Sequence, residues 1–172
     1  GITLKGSVQA QPDPAAHGGS VSITATVRNT AGTQARALPL RLLAMAAGSS
    51  SDWARHEYAV TLAPGAQVEE SWMLSLAGQG LGLQRIVLEG YFTDSQGVQA
   101  WIAIAERTFS ISDQTGPTVA IVSPATQSIH GASVAVEASA EDPLSGIGLV
   151  EARLGSGFWI ALSPKGATPG RF

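Results

Sequence analysis

Between His17 and Gly32 the chain reads HGGSVSITATVRNTAG, with Val21, Ile23, Ala25 and Val27 alternating with Ser22, Thr24, Thr26 and Arg28. That period of two belongs to a strand with one buried and one wet face. Segments of the same character follow on both sides. Ile2 to Gln11 reads as a strand closed by Pro12-Asp13-Pro14, where two prolines remove amide donors. Asn29 to Gly32 is a turn, and the apolar run Leu38 to Met45 fits helix or strand, with Pro39 and its neighbours favouring strand. After the loop Gly48 to Asp52, the residues Ala54, His56, Tyr58, Val60 and Leu62 share one face of a further strand. Val68, Trp72, Leu74 and Leu76 share a parity in the next, with Glu70 as the exception. Leu83 to Phe92 and Val98 to Ile111 are joined by a tight hairpin at Asp94-Ser95-Gln96-Gly97, and mixed alternation in the second of them predicts a bulge. The pattern gives about seven strands in the first ~110 residues, the spacing of an immunoglobulin-like sandwich.

The opening strand has an echo. His130-Gly131-Ala132-Ser133-Val134-Ala135-Val136-Glu137-Ala138-Ser139 matches His17 to Thr26 at a constant offset of 113 residues. Between the copies, residues 113–117 carry Gly116-Pro117 and no periodicity, so they are read as a linker between a module at 1–112 and a second at 118–172. A linker this short favours an extended rod. The second module is expected to hold strands at Thr118 to Val122, Ser133 to Ala140, Ile147 to Leu154 and Phe158 to Leu162. Only 56 residues (172 minus 116) follow Gly116, so this module is read as a partial sandwich. The fold class is therefore all-β, tandem immunoglobulin-like β-sandwiches with the second incomplete.

Composition narrows the function. Charged residues make up 13% and the net charge is −3, which provides no basic field for nucleic acid or an anionic membrane. No apolar run is long enough to span a bilayer, so no membrane insertion is expected. Cysteine is absent, which removes disulfides, thiolate metal sites and thiol nucleophiles. The start at Gly1 rather than Met reads as a segment of a larger precursor.

With SVSITATVRNTAG, LAPGAQVEESWML at Leu62 to Leu74 and LQRIVLEGYFTDSQG at Leu83 to Gly97, the first module resembles a CARDB-type domain, a prokaryotic immunoglobulin-like module related to cell adhesion. The second, from Gly116 to Trp159, is similar to bacterial Ig-like repeats that open with Pro-Thr-Val, contain a Ser-Pro turn and carry Asp-x-x-Ser-Gly-Ile. The resemblance implies stalk elements of bacterial surface proteins and adhesins, or accessory modules of secreted enzymes, and brings no catalytic motif with it.

Candidate chemistry is sparse. His17, His56 and His130 are too scattered in sequence for a local metal cluster, and Gly155-Ser156-Gly157 reads as a hairpin turn, not a nucleophile elbow. The adjacent carboxylates Glu69-Glu70 and Glu141-Asp142 would point to opposite faces of a strand, which opposes paired acid–base work. Asp113, Glu141 and Asp142 are the candidate metal ligands, since calcium bound by such oxygens would stiffen the junction; an Asx turn at Asp142 ahead of Pro143 is the plainer reading. Trp72 and Trp101 have core parity, leaving Trp53 and Trp159 as candidates for stacking against a sugar. No other cofactor is expected.

The expected function is a non-catalytic stalk or adhesion module of a large bacterial cell-surface or secreted protein, located outside the cell. Its partners would be other Ig-like modules of the same parent and a host protein, matrix protein or glycan. Two alternatives are an accessory carbohydrate-binding module of a secreted enzyme and a filament subunit that accepts a neighbour's strand on an unpaired edge.

Overall fold

The computed structural model describes residues 3–31, 35–93, 96–125, 131, 133–166 and 168–172, so the hairpin at Asp94-Ser95 and the echo's His130 and Ala132 lie outside the described residues. The chain is all-β and divides into two compact units, Gly1–Ser112 and Asp113–Phe172.

Unit 1 is a β-sandwich of immunoglobulin-like layout. One sheet has the order β1-β3-β6, formed by β1 (Leu4–Gln11), β3 (Ser20–Asn29) and β6 (Gln67–Ser75), all antiparallel. The other has the order β2-β8-β7-β4-β5, formed by β2 (Ala15–Ala16), β8 (Gln99–Ser112), β7 (Gly82–Thr93), β4 (Arg36–Ala46) and β5 (Asp52–Leu62). The alternation of β3 has the expected consequence, since Val21, Ile23, Ala25 and Val27 are all buried. They meet Leu40 and Leu42 of β4, Ile86 and Leu88 of β7, and Phe109 and Ile111 of β8 in one continuous core. At about 1.5–3 kcal/mol for each large apolar side chain removed from water, this core is the main source of stability.

Two irregularities shape unit 1. At Pro12-Asp13-Pro14 the chain leaves the first sheet and re-enters the second as β2, whose Ala15 and Ala16 run parallel to Ile111 and Ser112. In β8 the register shifts between Leu88↔Ala105 and Glu89↔Ala103, which makes Ile104 an extra residue, a bulge. Space for it comes from glycine: a Cβ on Gly6 would lie 2.7 Å from Ile104 Cγ2, and one on Gly90 would lie 3.1 Å from Ile104 Cδ1.

Unit 2 is smaller. β9 (Thr118–Ser123) pairs antiparallel with β10 (Glu137–Glu141), and β11 (Glu151–Ala152) with β12 (Ile160–Ala161). Arg171 and Phe172 return beside β10, where Phe172 and Ala138 exchange amide-to-carbonyl bonds of 2.9 and 3.0 Å. Ser133 to Val136, expected as strand, lie outside any strand; the pairing begins only at Glu137. The core cluster here consists of Ala138, Ala140 and Val150, with Ile147, Leu162 and Phe172 packed against it.

Candidate functional site

Three groupings of polar and aromatic side chains emerge. The first lies where β5, the edge of the five-stranded sheet, meets β6, the edge of the three-stranded one. His56 and Tyr58 have inward parity on β5, while Glu70 and Trp72 have the same parity on β6. His56 Nε2 lies 2.8 Å from Glu70 Oε1, and the imidazole is stacked between Tyr58 and Trp72, with centroid separations of 5.6 and 5.8 Å. The anomalous Glu70 thus meets the imidazole of a residue on β5 that shares the core-facing parity. The Tyr58 hydroxyl is enclosed without a hydrogen-bond partner, and burial, with a smaller contribution from the Glu70 charge, pushes its pKa up to about 12. The arrangement ties one sheet to the other at the side of the sandwich.

The second grouping covers the outer face of the five-stranded sheet. Arg41 binds Glu89 at 2.7 Å across β4 and β7, and its guanidinium lies 4.1 Å from the ring centroid of Trp101, which in turn contacts Tyr91. Trp101 was expected in the core. The bulge at Ile104 explains the difference: Phe109 and Ile111 face inward on odd positions, but beyond the extra residue the parity inverts and Trp101 faces out, paired with Tyr91. Sequence reasoning missed this cluster; the signal available was opposite charge at outward parity, Arg41 and Glu89, on neighbouring strands.

The third is the loop after β10. Asp142 Oδ1 accepts the amides of Leu144 and Ser145, each at 3.0 Å, and Oδ2 accepts the Ser145 hydroxyl at 2.9 Å. The Ser145 amide, with that hydroxyl, holds the Asp142 carboxyl below the usual carboxylate range. The Asp113 carboxyl sits beside it; its Oδ1 accepts the Thr115 amide at 2.9 Å, and its Oδ2 is enclosed without a hydrogen-bond partner. Glu141 is exposed and does not join them: among the described residues no three acidic or imidazole groups converge on a common point. Two of the three candidate metal ligands are therefore brought together, and the Asx turn forms.

The two candidate stacking tryptophans differ. Trp53 is the second residue of β5 and packs against the core, with Nε1 donating to the buried Gln84 Oε1 at 3.2 Å. Its neighbour Asp52 is taken by Arg55 at 2.9 Å. Trp159 is exposed, with the Arg153 guanidinium 4.7 Å from its ring centroid. The two rings lie in different units and form no shared platform in either one.

No protein-family model matches the chain, and no curated protein does. Among solved structures it is similar to the CARDB domain of a Pyrococcus furiosus protein in complex with di-metal ions, at 15% identity over 65% of this chain and 88% of that one, with a TM-score of 0.47. It is also similar to a Listeria innocua β-glucosidase, at 13% identity over 64% of this chain, with a TM-score of 0.44. A Pseudomonas fluorescens alkylpurine DNA glycosylase aligns at 15% identity over 63% of this chain and 30% of that one, with a TM-score of 0.45. The chain spans 16% of the glucosidase's length. Likenesses at this level say nothing of activity.

Proposed function

We propose that the chain is a load-bearing, non-catalytic segment of a bacterial cell-surface or secreted protein, a stalk or adhesion element. What supports this reading is how the two ends of unit 1 are tied together. β2, near the start, lies parallel to the last residues of β8, and the His17 amide donates to the Ser112 carbonyl at 3.0 Å. Asp13 reinforces the junction, accepting the Ser110 amide at 3.0 Å and facing Arg107 at 3.7 Å. Tension on the ends is carried first by β1 on β3, and once β1 yields it draws β2 and β8 in opposite directions along a common axis. Parallel hydrogen bonds are then loaded together in shear, where an antiparallel hairpin pulled from its ends would open one bond at a time.

The test is single-molecule stretching of the chain through its termini. Unit 1 is expected to resist markedly more force than the His17→Pro variant, which deletes the amide that reaches Ser112. Equal unfolding forces for the two proteins would remove the clamp, and with it the mechanical reading.

A further inference from the structure

Unit 2 repeats part of the strand plan of unit 1. At the offset of 113, Ile121 pairs with Ala138 where Val8 pairs with Ala25. Leu62-Ala63-Pro64, which closes β5 and turns the chain into β6, has a counterpart in Leu162-Ser163-Pro164 after β12. Leu62 is buried in the core of unit 1, and Leu162 packs against the core of unit 2. Beyond this second turn, Gly170–Phe172 lie along β10. Phe172 and Ala138 exchange two backbone hydrogen bonds, and the Ala140 amide donates to the Gly170 carbonyl at 2.9 Å. Their register is that of β6: Ser139 stands opposite Arg171 as Thr26, 113 residues earlier, stands opposite Glu69, which puts Phe172 in the place of Glu70.

In unit 1 this pairing runs on from Thr24↔Ser71 to Ser20↔Ser75. The corresponding residues of unit 2 run from Glu137 back to Ser133. Val134 and Val136 are half-buried and Ser133 and Ala135 exposed, the alternation of a strand, yet among the described residues no hydrogen bond reaches the backbone of Ser133–Val136. Amides that face one neighbour recur at every second residue, so those of Val136 and Val134 follow Ala140 and Ala138 on the side taken by Gly170–Phe172. We infer that this edge is the seat of an antiparallel strand that runs on from Phe172 in the register of β6, with apolar side chains opposite Val136 and Val134. A separate strand fits it less well. Gly170–Phe172 already fill the rest of the edge, so a free peptide would give up its translational freedom for a handful of pairs, whereas a strand tethered at Phe172 is already in place. The inference does not depend on the load-bearing role of unit 1.

The probe is the chain lengthened after Phe172 by Ser-Trp-Met-Leu-Ser, the sequence Ser71–Ser75 that follows Glu70. Amide hydrogen exchange at Val134 and Val136 is expected to slow by roughly ten-fold or more relative to the chain Gly1–Phe172, at any protein concentration. The amides of Ala138 and Ala140, already paired, serve as the internal reference. Proline at the second and fourth added positions removes the amides that would donate to Val136 and Val134, and fast exchange should return. The free pentapeptide, added to the chain Gly1–Phe172, is expected to slow neither amide. Four outcomes overturn the inference: slow exchange at Val134 and Val136 before any residue is added, unchanged exchange in the lengthened chain, slowing that survives the prolines, and slowing that the free peptide reproduces or that grows with protein concentration.

Discussion

The pair β1–β3 in unit 1 and the pair β9–β10 in unit 2 share their register, at an offset of 113, from Lys5↔Arg28 to Val8↔Ala25, before an irregularity at Glu137 interrupts the second, yet their surroundings differ sharply. Above β1 and β3 stands a five-stranded sheet, and β3 is paired on its second edge by β6, so nineteen buried apolar residues among those described make one core. Among the described residues the β9–β10 pair contributes two alanines to a buried set of three. Local sequence specifies that a strand forms and which side of it is apolar; burial of that side is decided by what arrives from elsewhere in the chain or from another chain. Most of the stability therefore resides in unit 1.

The largest effect that would break this contrast is in the core. Leu42→Ala or Phe109→Ala, both fully buried in unit 1, is expected to cost about 3–5 kcal/mol. Phe158→Ala in unit 2, where the ring is exposed, is expected to stay within about 0.5 kcal/mol. Chemical denaturation followed with separate probes for each unit checks both. A loss of several kcal/mol at Phe158 would mean that its ring is buried in solution.

Next in size is the alkaline limb of unit 1. The folded pKa of Tyr58 is pushed up to about 12 from 10.0. A raised acidic group gives stability that is complete below the unfolded value and is lost as pH rises through the folded one. Between about pH 10 and 12 unit 1 should therefore lose on the order of 2 kcal/mol. Tyr58→Phe is expected to flatten that limb and, by removing an enclosed hydroxyl without a partner, to leave neutral stability unchanged or raised. Thermal unfolding at several pH values distinguishes the wild-type and variant proteins.

These contrasts show what was legible in the sequence. The inward faces of β3, β5 and β6 follow from period alone, and Glu70 stood out as an exception because its parity was wrong for a carboxylate. Its partner was not readable, since β5 and β6 lie in different sheets and only the fold brings His56 across. The bulge in β8 showed as mixed alternation, but its position did not. One extra residue at Ile104 was enough to carry Trp101 from the expected core to the outer face. β2 went unseen because two residues carry no period, and its parallel partner lies at the far end of unit 1. Trp53 looked exposed because it follows a loop. The strand in fact begins at Asp52, and the indole finds Gln84, a buried polar residue that no pattern marked. In the echo, the segment Ser133–Val136 has strand composition without strand pairing.

A smaller effect tests the tie between the sheets. His56 and Glu70 are each about one-third exposed, so solvent weakens their attraction, and Glu70→Gln is expected to cost about 1 kcal/mol or less. Glu70→Leu restores uninterrupted apolar parity in β6 but removes the imidazole's partner. It is expected to destabilise at least as much as Glu70→Gln. If Glu70→Leu is instead stabilising, apolar packing dominates at this edge of the sandwich and the His56–Glu70 contact is incidental.

The smallest effects belong to the loop of unit 2. The Asp142 carboxyl is held low by the Ser145 amide and hydroxyl, so its contribution is present above the unfolded carboxylate value, about pH 4, and is lost as pH falls through the lower folded value. Unit 2 should accordingly melt at lower temperature in acid, and Asp142→Ala should melt lower at neutral pH while losing that dependence. The neighbouring Asp113 brings a second negative charge to the same place. A calcium ion takes about six to eight oxygens, of which this loop brings together two carboxylates without Glu141, so millimolar calcium is expected to raise the melting temperature of unit 2 only slightly. Asp113→Asn should abolish that rise and Glu141→Gln should leave it; an unchanged wild-type melting temperature would mean that no cation sits between the two aspartates.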